Sequence, residues 1–195
     1  LTRHQHHRTA TGRPGHRCAR LQVVFGDAVR HDELAHAAGA DPVQYRRDFL
    51  GAPRIIGDPK SRGPYNTGRM RAVLDKAAAM AGWGRKLPKR TGLGVAFHFS
   101  HLGYFANVIE ASVAADGTVK VHKIWVAGDI GRQIVNPAGA MNQVQGSILD
   151  ALGACMGHEI TFADGAIEQR NFGDVPMLRN EQIPPIEVAF LTPDY

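Results

Sequence analysis

The spacing of apolar residues changes near Gly92, and this change restricts the folds open to the chain. Before Gly92, apolar residues recur every three or four positions, as on the buried side of a helix. After it, apolar and polar residues alternate, which is typical of half-buried strands. The sequence therefore predicts an α+β fold in which helices come first and antiparallel hairpins follow.

The same periodicity predicts four helices, over residues 31–38, 42–50, 67–82 and 137–157. Two of them follow a capping residue and a proline in the first helical position, at Asp41-Pro42 and Asn136-Pro137. Asp32 is expected to cap the first helix.

Six strands are predicted, over residues 93–99, 105–115, 118–127, 158–163, 166–170 and 186–191. Two Asp-Gly dipeptides, at 116–117 and 164–165, fall between consecutive strands. Asp-Gly fits the tight turns that join antiparallel strands, so each dipeptide predicts a hairpin.

The formal net charge of +5 is concentrated at one end of the chain. Residues 1–20 contain five Arg and four His and no acidic residue. Nucleic-acid binding is not expected, because no helix-turn-helix, zinc-finger or aromatic RNA-binding motif accompanies the charge. Such a binder would instead show salt-sensitive binding that is lost when residues 1–25 are removed.

The chain contains two cysteines, Cys18 and Cys155, and no CxxC motif. Zinc-cluster and thiol redox motifs are therefore absent from the sequence. Cys155 lies on an apolar side of the last predicted helix and is expected to be a buried thiol.

Three segments in order resemble the molybdopterin-binding large subunits of xanthine-oxidase-family hydroxylases. They are DELAHAAGADPVQYR with RAVLDKAAAMAGWG, then VHKIWVAGDIGRQIVNP, then NQVQGSILDALGACMGHEITFADGAIEQRNFGDVPMLRNEQIPPIEV. Within this family, the residues of the three segments most resemble the branch of the isoquinoline 1-oxidoreductase beta subunit and aldehyde dehydrogenases. The resemblance covers about residues 29–191 and rests on the order and spacing of all three segments.

The chain is expected to have three regions. Residues 1–28 lack periodicity and lie outside the resemblance, so they are expected to be a disordered or unrelated basic tail. Residues 29–92 form a helical segment with its linker, and the resemblance implies a partial molybdopterin-binding domain over 93–195. It implies a molybdenum centre carried by molybdopterin cytosine dinucleotide. The implied reaction is hydroxylation of an aldehyde or an aromatic N-heterocycle with oxygen from water. Electrons would leave through 2Fe-2S clusters on a small partner subunit, with a cytochrome as a further acceptor.

The resemblance also assigns cofactor contacts at the start of the last helix. Gln143 matches a family glutamine that hydrogen-bonds the pterin, and an amide offers the donor and the acceptor that a pterin edge needs. Gly139 and Ala140 precede it and would contact the cofactor through their backbone, near the positive end of the helix dipole. The alternative interpretation is that Gln143 is an ordinary surface residue.

Other polar residues have simpler interpretations. Asp129 matches a family acid near a strand end and is expected either to bond backbone in a turn or to serve the site. Glu110 and Glu159 are expected to be cross-strand partners. The histidines lack metal-ligand spacing, so no protein metal site is expected among His98, His101 and His122.

No catalytic residue is assigned, because the family's catalytic glutamate would lie beyond Tyr195. The chain is therefore expected to be a fragment that is inactive by itself. The alternative is a truncated, non-catalytic paralogue that serves only as a subunit-interaction domain. The sequence leaves the substrate, the oligomeric state and the choice between periplasm and cytoplasm open.

Overall fold

A computed structural model describes residues 30–58, 63–175 and 177–192. The basic tail inferred for residues 1–28, with Cys18, lies outside the described residues.

The four predicted helices are confirmed within one residue at each end. They are α1 (30–37), α2 (Pro42–Leu50), α3 (Thr67–Ala81) and α4 (Pro137–Met156). Asp41 caps α2 by accepting from the N–H groups of Val43 and Gln44, and Asn136 caps α4 by accepting from Gly139. The expected cap at Asp32 is wrong, because Asp32 lies inside α1 and its carboxylate pairs with Arg46 at 2.8 Å.

The strands are β1 (Ile55–Ile56), β2 (Tyr65–Asn66), β3 (Thr91–Ser100), β4 (Gly103–Val113), β5 (Val119–Asp129), β6 (Phe162–Ala163), β7 (Ala166–Ile167) and β8 (Ile186–Phe190). β3, β4, β5 and β8 form one sheet in that order. β3, β4 and β5 are antiparallel neighbours, whereas β8 runs parallel to β5. The turn at residues 116–117 joins β4 to β5 as predicted.

The second predicted hairpin exists but is much shorter than expected. β6 and β7 have two residues each, all of them exposed, so no packed surface extends the pairing. Glu159 therefore lies outside any strand, and its predicted cross-strand role is wrong. A second two-residue pair, β1 with β2, occurs between α2 and α3, where no strand was predicted.

The two faces of the four-stranded sheet carry different helices. α3 and α2 cover the face that we call the α3 face, where the buried residues include Val95, Tyr104, Ala106, Val108, Trp125 and Ala127. The opposite face, the α4 face, contributes Ile124 and Val126, which pack with Val144 of α4. α4 covers this face only in part, and Cys155 near its end is exposed rather than buried as predicted.

A buried arginine ties the first two helices to the sheet. Arg46 is 1% exposed and donates to Asp32 at 2.8 Å and to the carbonyl of Pro42 at 3.1 Å. Its guanidinium carbon lies 5.9 Å from the centre of the Phe97 ring. Paired charge and ring contact together offset the cost of removing this guanidinium from water.

Gly128 in β5 is a position where the fold requires glycine. A Cβ there would lie 2.6 Å from Cε1 of Phe105 and 3.3 Å from Cδ1 of Phe190, so an aromatic ring would have to shift. We expect Gly128→Ala to lower the free energy of unfolding by about 1–3 kcal/mol, the usual range for overpacking a core. Urea unfolding followed by circular dichroism measures it.

Gly146 in α4 is the matched control, because nothing lies within 4 Å of a Cβ built there. Alanine is a better helix former than glycine by about 0.8–1.0 kcal/mol, so Gly146→Ala should stabilise the chain. Equal effects of the two substitutions would contradict the crowding at Gly128.

Candidate functional site

Polar residues gather at the end of the sheet where β5 and β8 both terminate. α3 begins there, because Arg69 in its first turn contacts Asp129, the last residue of β5. A pocket of about 400 Å³ lies at this end and is lined in part by Asn66, Gly68, Leu191 and Thr192. In folds with parallel strands, ligands bind beyond the carboxyl ends of the strands.

α4 begins at the same end of the sheet, on the other face. Val144 in its first half packs against Ile124 and Val126, whereas Leu152 and Met156 lie near the first residues of β5. α4 therefore runs antiparallel to β5. The N-termini of α3 and α4, each the positive end of a helix dipole, both lie at the sheet end where β5 stops.

The ion pair of Arg69 and Asp129 joins α3 to β5. Nε of Arg69 lies 2.7 Å from Oδ2 of Asp129, and Nη2 lies 2.6 Å from Oδ1, so the pair is bidentate. Asp129 is 2% exposed and also accepts from the N–H group of Gly131 at 3.1 Å. The backbone-bonding role predicted for Asp129 is therefore confirmed. Its ion pair with Arg69 was not predicted from the sequence.

The ring of Tyr104 supports this arginine. The guanidinium carbon of Arg69 lies 4.4 Å from the centre of the Tyr104 ring. The hydroxyl of Tyr104 accepts from the N–H group of Asn66 at 2.8 Å, which fixes the residue that caps α3. Burial raises the pKa of the neighbouring Tyr65 to about 12, and Tyr104 shifts that pKa in the same direction. The phenol of Tyr65 is therefore neutral near pH 7.

The residues assigned to the cofactor lie in the first two turns of α4. Gln143 is exposed, and Gly139 and Ala140 are half-buried. The N–H group of Gly139 donates to the side chain of Asn136 at 2.9 Å, and that of Ala140 donates to the carbonyl of Asn136 at 3.0 Å. Both amides are thus already engaged in the helix cap.

His98 and His101 lie at this same end of the sheet, on β3 and in the turn that follows it, whereas Glu110 and His122 lie away from it. Glu110 pairs with Arg85 at 2.6 Å and faces Lys123 on β5, which confirms its predicted cross-strand position. His122 Nε2 lies 2.7 Å from Oγ of Ser112 at the opposite end of β5. His122 also lines a pocket of about 660 Å³, with walls that include Leu152, Met156, Met177 and Ile183.

Sequence reasoning missed Arg69, although one signal was present. An arginine in the first turn of a helix is unfavourable beside the positive end of the dipole, so it needs a local anion. That anion is Asp129, which lies 60 positions further along the chain.

Within the described ranges, no cluster of three His, Cys, Asp or Glu side chains is arranged to hold a metal ion. None of the described helices combines the length and apolar character needed to cross a bilayer.

The chain belongs to the molybdopterin cofactor-binding domain family, which matches residues 61–184. This match confirms the membership that the three sequence segments predicted. The matched region contains α3, β3, β4, β5 and α4, whereas β8 follows it.

The chain is similar to components of two bacterial oxidoreductases. It is 29% identical over 177 residues to the beta subunit of isoquinoline 1-oxidoreductase from Brevundimonas diminuta, covering 89% of this chain and 21% of that protein. It is 29% identical over 166 residues to a nicotinate dehydrogenase subunit from Pseudomonas putida, covering 82% of this chain and 14% of that protein. The chain thus spans about a fifth or less of these relatives.

Among solved structures, the Cu,Mo-CO dehydrogenase matches with 22% identity and a TM-score of 0.44. That match covers 47% of this chain and 12% of the dehydrogenase chain.

Proposed function

We propose that this chain is part of the cofactor-binding subunit of a molybdenum hydroxylase, which oxidises aldehydes or aromatic N-heterocycles with water as the oxygen source. The observation that supports it most is the match of residues 61–184 to the molybdopterin cofactor-binding family. Two relatives are named for N-heterocycles, isoquinoline and nicotinate, which supports this substrate class.

The start of α4 fits an anionic cofactor such as molybdopterin cytosine dinucleotide. Its first turn has no acidic residue, and in the described part of the chain Ala138 keeps an N–H group that the Asn136 cap does not use. The exposed amides of Asn142 and Gln143 lie one turn further on. A positive helix end with neutral donors suits a pyrophosphate and the polar edge of a pterin.

We assign Gln143 the hydrogen bond to the pterin. Gly139 and Ala140 contact the cofactor by close approach, since glycine has no side chain and alanine has only a methyl group. Their N–H groups donate within the cap, so these two contacts are van der Waals contacts. When bound, the molybdenum centre would supply the two-electron oxidation, and the proposed electron acceptors are 2Fe-2S clusters on a small partner subunit and a cytochrome.

Replacing Gln143 tests this assignment in the longest reading frame that contains the sequence. We expect Gln143→Ala to lower molybdenum content or turnover about tenfold, because a stranded hydrogen-bond partner costs roughly 1–3 kcal/mol. Alanine is the best helix former, so the free energy of unfolding should not fall. Molybdenum by mass spectrometry, released pterin by fluorescence and turnover are the measurements.

Gln145 is the matched control, because it lies about 200° around the helix from Gln143. It is half-buried where Gln143 is exposed, so the two side chains do point differently. Gln145→Ala should keep the molybdenum and pterin content of the parent. If both variants lose cofactor alike, or neither does, Gln143 does not contact it.

A further inference from the structure

Arg69 stands at a position where its own helix gains nothing from it. It is the third residue of α3, in the first turn, where a positive charge opposes the positive end of the helix dipole. A residue that breaks a local rule without a local gain is typical of functional sites. The contribution of Arg69 therefore comes from its contacts outside α3.

Arg69 is held on two sides, and this fixes the orientation of the Asp129 carboxylate. Tyr104, which is 1% exposed, lies directly opposite Asp129 on the neighbouring strand β4. The guanidinium packs on the Tyr104 ring and donates to both carboxylate oxygens, from Nε at 2.7 Å and from Nη2 at 2.6 Å. A planar fork of this kind fixes direction as well as distance.

The orientation of this carboxylate is passed on to the chain that leaves β5. Oδ1 of Asp129, which receives Nη2 of Arg69, also accepts from the N–H group of Gly131 at 3.1 Å. Gly131 has a φ of 113°, a backbone conformation that residues with a side chain rarely adopt. The chain therefore changes direction at a glycine whose N–H group is fixed by the pair of Arg69 and Asp129.

Two fixed points bracket the first turns of α4. One is the hydrogen bond at Gly131, six residues before the helix begins. The other is Val144, the first buried residue of α4, which packs against Ile124 and Val126 of the sheet. The residues assigned to the cofactor lie between these two points, so a shift of either point moves them relative to the sheet.

We propose that Arg69 and Asp129 are positioning residues for the cofactor end of α4. The fork between them holds Gly131, and Gly131 sets the direction in which the chain enters α4. This inference rests on the proposed function, because the pair acts on the segment that binds the same cofactor. A buried ion pair adds little stability compared with apolar packing, but its geometry is exacting, which suits a positional role.

Arg69→Lys and Arg69→Met test this role in the longest reading frame that contains the sequence. Lysine keeps the charge but loses the two-point contact, and methionine removes both. In Arg69→Met we expect the N–H group of Gly131 to exchange with deuterium about tenfold faster, because the carboxylate that accepts from it is no longer oriented. Molybdenum and pterin content should fall at least about threefold, with Arg69→Lys between Arg69→Met and the parent.

Leu74→Ala is the control for lost stability alone, because it removes buried carbon atoms from the core and leaves both charges of the pair in place. It should destabilise the protein while the deuterium exchange of residues 130–136 and the cofactor content stay as in the parent. Exchange is followed by mass spectrometry, and circular dichroism establishes that each variant is folded at the temperature used.

The outcomes separate this inference from the proposed function. A parent protein that holds neither molybdenum nor pterin overturns the proposed function, and this inference falls with it. A parent that holds both, with Arg69 variants that keep its exchange rate or its cofactor content, overturns this inference alone. So does a loss of cofactor in Leu74→Ala as large as that in Arg69→Met, since lost stability would then account for both. If Arg69→Met does not fold, Arg69→Lys decides by the same two measurements.

Discussion

Replacing Arg69 by Met is expected to lower the free energy of unfolding by about 3–5 kcal/mol. Methionine keeps an unbranched apolar stem, but it leaves the carboxylate of Asp129, which is 2% exposed, without its bidentate partner. A buried charge that has lost its partner cannot recover the cost of leaving water. Chemical unfolding followed by far-ultraviolet circular dichroism measures the loss.

Two comparisons separate this effect from lost packing. The double variant Arg69→Met/Asp129→Asn removes both charges, so it should be less destabilised than Arg69→Met alone. Arg85→Met breaks the ion pair between Arg85 and Glu110, whose side chains are 39% and 18% exposed respectively. This substitution should lower the free energy of unfolding by no more than about 1 kcal/mol. A double variant that is no more stable than the single one would show that the charge of Asp129 is not the cause.

Leu74→Ala is expected to lower the free energy of unfolding by about 2–5 kcal/mol, because it removes buried carbon atoms from the centre of the core and leaves a cavity. Leu74 lies on α3 and is fully buried with Met70, Val73 and Ala77 against the α3 face of the sheet. The midpoint of urea unfolding should fall while its slope against urea stays constant.

Leu34→Ala is the control on another helix, because Leu34 is 51% exposed on α1. Alanine has a slightly higher helix propensity than leucine, so the free energy of unfolding should change by no more than about 0.5 kcal/mol. Comparable losses at Leu34 and Leu74 would mean that α3 does not carry the core.

Features set by neighbouring residues could be predicted from the sequence. The caps at Asp41 and Asn136 each use a side chain and the N–H groups two or three positions further on. The hairpin of β4 and β5 depends on a glycine with positive φ in its turn, Gly117. In these cases the chemistry that decides the structure lies within one turn of the chain.

Features set by distant residues could not be predicted. The turn between β3 and β4 places both His101 and Leu102 at positive φ, which neither residue favours. They adopt this conformation because the long paired strands on either side require a tight turn there. Asp32 resembles a cap, but its partner Arg46 lies on the next helix. At the candidate site, Asp129 could be singled out, but its pairing with Arg69, 60 positions earlier, could not be predicted. Gln143 was found through the family resemblance alone.

The parallel pairing of β8 with β5 also determines the order in which the sheet can form. β3, β4 and β5 are joined by short turns, and such hairpins form in about 1–10 μs. β8 can add only after the whole stretch of chain from residue 130 to 185, including α4, has emerged from a ribosome and been placed. Pairing between segments so far apart in sequence is slow. A nascent chain therefore presents the outer side of β5 as an unpaired edge, and it needs protection from aggregation during synthesis until β8 arrives.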